Sequence, residues 1–324
     1  MRLPPFQLLE PESLQEVLTL LEARKEKAQL LAGGTDLLNR VRLGLANPET
    51  VISLGKIREL EGIEVRGREI IVGAATKLRE IVKSSVLEGG FRALAEAAYQ
   101  VASPTLQNMG TTGGNLLQNT RCLYYNQSPL VLNGLESCHK RGGSACLAVK
   151  GSKRCFSVYQ GDLAPALIAF EARCVLEKRG SSRTIPVADL FTGNGLTPFR
   201  LQPDEVLTKI ILPLPEGPFG SAYQKLRLRG SIDYPLVSVA AFVSATPEGE
   251  RNRCCLVLGA VGAAPKRMDD LSGEVDFEAL AQRASDLAEA IDNLQMPGSY
   301  RKKMAGVLAK RAMKEALARM KGVA

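Results

Sequence analysis

The sequence predicts an α+β protein built from three consecutive units, and three observations carry that expectation. Short apolar runs of strand length recur along the chain, separated by Gly and Pro. Amphipathic helical repeats lie between and after them. Two glycine-rich turns sit where neither a Rossmann fingerprint nor a Walker loop can be read.

Residues 1–55 form the first unit, a small βαβ-like arrangement. Ser13 precedes the periodic run Leu14, Val17, Leu18, Leu20, Leu21, and Glu16 completes a capping box. Gln29–Ala32 reads as a short buried strand and Val51–Leu54 as a second. Residues 56–215 form the next unit. Glu69–Ala74 is a strand, a helix runs from Thr76 through Val82, and another covers Phe91–Tyr99. A turn-rich stretch from Ser103 to Asn115 leads into a cysteine-bearing segment. Leu163–Phe170, Arg173–Glu177 and Lys209–Leu212 then resume regular patterns. Residues 216–324 form the third unit. Its strand candidates are Ser221–Arg229, Val237–Ala245 and Cys254–Val261, followed by an amphipathic helix over Phe277–Leu294 and a basic one over Tyr300–Lys321. Both helices read as core packing against a sheet.

Composition narrows the function classes. The 324 residues are 45% hydrophobic and 23% charged, enough for a large core without disulfides. Trp is absent and aromatics make up 5%, which disfavours the stacking platforms of single-strand nucleic-acid binders. The net charge of +8 favours acidic partners, yet no dense Lys/Arg run marks a nucleic-acid site. There is no apolar stretch long enough to span a membrane and no secretory h-region, so a cytoplasmic protein is expected, with neither membrane nor nucleic acid as partner.

The first glycine turn is Leu30-Leu31-Ala32-Gly33-Gly34-Thr35-Asp36-Leu37. Paired glycines let the backbone bring its N–H groups close to an anion, and Thr35 adds a hydroxyl. Thr111-Thr112-Gly113-Gly114-Asn115-Leu116 is a second turn of the same character. Each alone reads as a tight turn. Two together can clasp an extended dinucleotide, and FAD suits two non-Rossmann turns in an α+β chain.

Four of the seven cysteines, Cys122, Cys138, Cys146 and Cys155, fall between the second turn and the next strand, separated by 15, 7 and 8 residues. Zinc fingers and ferredoxin motifs both show tighter pairs. The spacing leaves open a [4Fe–4S] cluster, a zinc site or plain thiols. A long Gly-, Ser- and Asn-rich insert with little core of its own calls for a ligand to order it. From Cys138 to Cys155 it holds Lys140, Arg141, Lys150, Lys153 and Arg154 and no acid, a setting that favours thiolates. His139 reads as solvent-facing. Cys174, Cys254 and Cys255 lie in strand patterns and read as buried structural thiols.

The two glycine turns resemble those of the FAD subunits of the xanthine dehydrogenase and carbon monoxide dehydrogenase family. So do Gly161-Asp162-Leu163-Ala164-Pro165-Ala166-Leu167, Asp204-Glu205-Val206-Leu207 and Tyr223-Gln224-Lys225 with Asp233 and Val237. The resemblance spans essentially the whole chain. It implies a p-cresol methylhydroxylase-type FAD-binding fold in two subdomains, followed by a C-terminal α+β domain with a three-stranded antiparallel sheet. It also implies that the two turns hold the pyrophosphate, Asp162 bonds sugar or ribityl hydroxyls, Lys225 sits near the isoalloxazine ring, the backbone near Leu207 touches the flavin, and Val101 lines the cleft. Ordinary members lack the cysteine insert. Asn119-Thr120-Arg121-Cys122 followed by Tyr124-Tyr125-Asn126-Gln127-Ser128 is similar to the insert entry of 4-hydroxybenzoyl-CoA reductase β subunits. That likeness implies a [4Fe–4S] cluster on the four cysteines. Electrons would run from ferredoxin through cluster and FAD toward a small [2Fe–2S] subunit and a large molybdenum–pterin subunit, in a dimer of heterotrimers, for reductive dehydroxylation to benzoyl-CoA. The simpler alternative is a FAD subunit of a molybdenum hydroxylase that passes electrons outward.

Overall fold

Ser13 caps the first helix, Leu14–Arg24, its hydroxyl accepting from the Glu16 N–H at 3.3 Å. Glu16 answers, but to the N–H of Glu12 at 2.9 Å, so the capping box is displaced by one residue. The computed structural model describes residues 3–246, 251–269 and 275–322. The helix buries Val17, Leu18 and Leu21 against Ile52 and its neighbours. Beneath it lies a parallel sheet in the order Gln7–Leu9, Thr50–Ser53, Ala28–Leu31. Parallel strands place their carboxyl ends at one edge, where open α/β sheets bind ligands. Gly33 and Gly34 follow directly on Ala28–Leu31 at that edge.

The second sheet is antiparallel throughout, in the order Ile63–Arg66, Glu69–Gly73, Val206–Pro213, Arg173–Lys178, Ser181–Pro186. Helices Arg92–Tyr99 and Leu163–Ala169 join its core, with Leu94 and Leu167 in the same buried cluster as Ile70, Val72, Ile210 and Leu212. The helix expected from Thr76 starts later, at Leu78. Thr76 is fully buried and occupied elsewhere: its hydroxyl donates to the Gly62 carbonyl at 3.0 Å, and its carbonyl accepts from the Thr112 N–H at 2.9 Å.

The third sheet holds the three long antiparallel strands expected, Phe219–Leu226, Val237–Ala245 and Arg251–Gly259, and adds a fourth. This edge strand, Lys266–Met268, is three residues long, too short for an alternating pattern to reveal. Gly298–Met320 packs across the sheet with Leu308, Ala309, Ala312 and Met313 inward. The helix expected over Phe277–Leu294 stops at Leu287, where Ala288 turns extended. Ala288 still packs with the sheet cluster, but Leu294 continues the spacing while serving another, with Val158, Leu236 and Ala260. Among the described residues, no helix is long and apolar enough to cross a membrane.

Candidate functional site

The two glycine segments meet. A Cβ on Gly33 would stand 2.0 Å from the Met109 carbonyl oxygen, in the residue pair that leads into Thr111. Only glycine allows that approach. The second segment proves to be a short helix, Thr112–Leu116, rather than an open turn. Thr111 caps it, accepting from the Gly114 N–H at 3.1 Å. Gly113 in turn donates its N–H to the Ala74 carbonyl at 2.8 Å.

Between the segments opens a cavity of about 530 Å³. Leu30, Ala32, Gly33, Gly34, Thr35, Asp36 and Leu37 line one side, Thr111, Gly113 and Gly114 another, and Leu207 a third. Leu31, Val101, Thr112, Asn115, Asp162 and Lys225 do not reach this lining. Thr112 and Asn115 support it from behind: the Thr112 hydroxyl donates to the Thr76 carbonyl, and Asn115 Oδ1 accepts from the Leu163 N–H at 3.0 Å. Bare backbone beside apolar walls from Leu54, Val206, Phe199 and Leu201 offers the mixture a dinucleotide needs.

Asp162 and Lys225 are brought together, though to each other. Their charged atoms lie 2.9 Å apart, and both side chains are buried. The Tyr223 hydroxyl also donates to Asp162, at 2.7 Å, and the Lys225 ammonium to the Gln100 carbonyl at 2.9 Å. Burial raises the Asp162 carboxyl above its usual range, against the pull of Lys225 and Tyr223. Val101, half-buried, adjoins Gln100, and its carbonyl accepts from Gln107.

The cysteine segment leaves the body and returns at one point: Arg121 and Val158 exchange backbone bonds of 2.8 and 2.7 Å. Within it the regular structure is one short helix, Pro129–Asn133, and a 3₁₀ turn at His139–Arg141. Cys122, Cys138, Cys146 and Cys155 all line one small cavity of about 20 Å³. None is in a disulfide. Among the described residues, no three His, Cys, Asp or Glu side chains converge into a ready single-ion site. The shared cavity and the missing convergence agree if the thiols surround a space without pointing at one centre. Burial pushes the Cys122 thiol up to about 11. His139 is not free in solvent as expected: it lines the same cavity and its Nε2 meets the Ser152 carbonyl at 3.0 Å. Cys174, Cys254 and Cys255 are buried in strands, as their patterns indicate.

Sequence reasoning gave several residues no role at the cavity. Arg40 lines the larger cavity, 3.9 Å from Asp36, with its Nε buried and without a hydrogen-bond partner among the described residues. The segment Thr197–Pro203 closes the far wall. Glu205, also on that wall, is held by Arg183 at 2.6 Å and by the Gln202 N–H at 2.8 Å. The clustered prolines at 198 and 203 were the available signal for a fixed loop.

Comparison with known proteins places these features. A family model described as the FAD binding domain in molybdopterin dehydrogenase matches residues 4–215. The carbon monoxide dehydrogenase medium chain of Hydrogenophaga pseudoflava is 29% identical, over 98% of this chain and 98% of its own. The aldehyde oxidoreductase FAD-binding subunit of Escherichia coli is 30% identical, over 78% and 81% respectively. A solved carbon monoxide dehydrogenase from Hydrogenophaga pseudoflava superposes with a TM-score of 0.80 at 27% identity, covering 98% of this chain and 99% of that one. The FAD-domain fold implied by the sequence resemblance is the fold observed.

Proposed function

Because this chain belongs to the family of FAD-binding subunits of molybdopterin dehydrogenases, we propose that it is an electron-transfer subunit holding FAD between its glycine segments and an iron–sulfur cluster on its cysteine loop. The observation that carries the reading is the pair of cavities: one walled by both glycine segments, the other by all four loop cysteines.

When bound, FAD and a cluster supply the electron-carrying chemistry, and the residues here supply placement, charge and exclusion of water. The backbone at Gly33 and Gly34 would hold the pyrophosphate, and Gly113 and Gly114, whose N–H groups are spent on Ala74 and Thr111, would let it approach closely. Leu207 and the apolar walls would cover the rings. Asp162 would serve the ribityl or sugar hydroxyls, and Lys225 the isoalloxazine end, with Val101 at its edge. Joined as they are, Asp162 and Lys225 present a nearly neutral unit, so charge at the flavin depends on how the two share it. The thiols of Cys122, Cys138, Cys146 and Cys155 form a donor set suited to iron–sulfur ligation. Metal binding removes their protons, including the one that burial holds on Cys122. The loop that carries them has little regular structure, so its side chains could adjust to a cluster at little backbone cost.

The finer assignment rests on the insert: a 4-hydroxybenzoyl-CoA reductase-type complex in the cytoplasm, with ferredoxin as donor. A [2Fe–2S] small subunit and a molybdenum–pterin large subunit would be its partners, in a dimer of heterotrimers. A second reading has its own support, since the named relatives are dehydrogenases and oxidoreductases and no ready ion site is formed among the described residues. In it the chain is a plain FAD subunit that passes electrons to an external acceptor, and its cysteines bind nothing. Iron and acid-labile sulfide analysis of the anaerobically purified chain decides. The cluster reading expects about four of each per chain; flavin without iron establishes the plain subunit.

A further inference from the structure

Lys140 belongs to the cysteine loop, yet its ammonium is spent on the segment that leads from the other cavity. It donates to Asn119 Oδ1 at 2.8 Å, the Thr120 carbonyl at 3.1 Å and Thr120 Oγ1 at 2.7 Å. An ammonium has three donors, and all three are placed. The Tyr125 ring lies 4.7 Å from the same nitrogen, and the Tyr125 hydroxyl fastens the loop to the Leu45 carbonyl.

Bonded neighbours extend from this point in both directions. Thr120 Oγ1 lies 2.7 Å from Ser157 Oγ, which lies 3.2 Å from the sulfur of Cys155. On the other side, the Asn119 N–H and Arg121 reach the carboxylate of Asp36, in the lining of the larger cavity. One side chain thus stands between the wall of the dinucleotide cavity and a cavity cysteine.

Among the described residues no carboxylate pairs with Lys140. A mostly buried cation without an anion is stabilised by any negative charge brought near it. Pyrophosphate in one cavity and thiolates in the other both qualify. We propose that Lys140 is a positioning residue that couples the two cavities, so that filling either one orders the walls of the other. Coupling of this kind is reciprocal. The thiolate half of the argument rests on the iron–sulfur reading; the pyrophosphate half does not.

The test uses the full metal-stripped chain with FAD as the probe, following iodoacetamide labelling of the loop cysteines by peptide mass spectrometry. In the native chain, saturating FAD should slow labelling of Cys122 and Cys146 by about fivefold or more, the range of an ordinary coupling energy. Lys140→Met should still bind FAD but lose that protection, and Lys140→Arg should restore it. Thr120→Val removes one of the acceptors and should weaken it partly, which keeps the idea testable if the methionine variant fails to fold. A Lys140→Met chain that binds FAD and remains fully protected overturns the proposal, as does a native chain with no protection. Iron content of the same preparations before stripping reports separately: protection in a chain that never held iron refutes the cluster and leaves the coupling standing.

Discussion

The dinucleotide cavity and the cysteine cavity are held in place by different kinds of bond. The first is framed by backbone: parallel strands, a capped short helix, and glycines pressed against carbonyls. The second is framed by side chains from scattered positions: Lys140 on Thr120, Tyr125 on Leu45, and Asn293 donating to the Phe156 carbonyl at 2.6 Å. The backbone frame encloses a cavity of about 530 Å³, and the side-chain frame one of about 20 Å³.

That contrast is open to attack at several points. The severest is Gly33→Val. Its side chain would collide with the Met109 carbonyl, so the variant should lose about 3 kcal/mol of stability and purify without a visible flavin band. Retention of flavin would show that the glycine segments need not touch. Next, Cys138→Ser should strip iron and, through the reciprocal coupling, weaken FAD binding about fivefold without abolishing it, read by metal analysis beside a flavin titration. An FAD affinity unchanged by the loss of iron would mean that the two frames are independent.

A smaller effect is expected at Thr111. Thr111→Ala removes the cap of Thr112–Leu116, worth about 1 kcal/mol, and should weaken FAD roughly fivefold by fluorescence titration. The smallest concerns acid. Burial pulls the Glu205 carboxyl up, but the Arg183 and Gln202 hydrogen bonds outweigh it and hold the group below the usual carboxylate range. A depressed folded-state value contributes stability above the ordinary 4.5, and that contribution fades as pH falls below it through the folded value. Flavin retention should therefore decline in that acid window, and Glu205→Gln should flatten the decline.

What the sequence disclosed follows the same division. Thr111 and Gly34 act on their own neighbours along the chain, so their pattern could be read directly, whereas Gly33 and Gly113 were legible as glycines of a turn but the Met109 and Ala74 carbonyls they meet were not. Ser13 capped its helix as its spacing indicated, and the strand over Val237–Ala245 lies where its apolar run placed it. Arg40 acts across the fold with nothing in its local sequence to mark it, while Glu205 and Lys140 were visible in the resemblance run and the basic loop but the partners they hold were not. The helix expected to reach Leu294 shows how periodicity misleads, because apolar residues recruited by separate clusters can keep one rhythm by accident.

Arg121 and Val158 hold the two ends of the cysteine excursion side by side. An excursion that departs and returns through one doorway imposes no strand order or register on its host. A short hairpin joining those residues could replace it, and the three sheets would be left as they are. A segment mounted in this manner is detachable, so a lineage could acquire or discard the cysteine loop without redesigning the FAD-binding body that carries it.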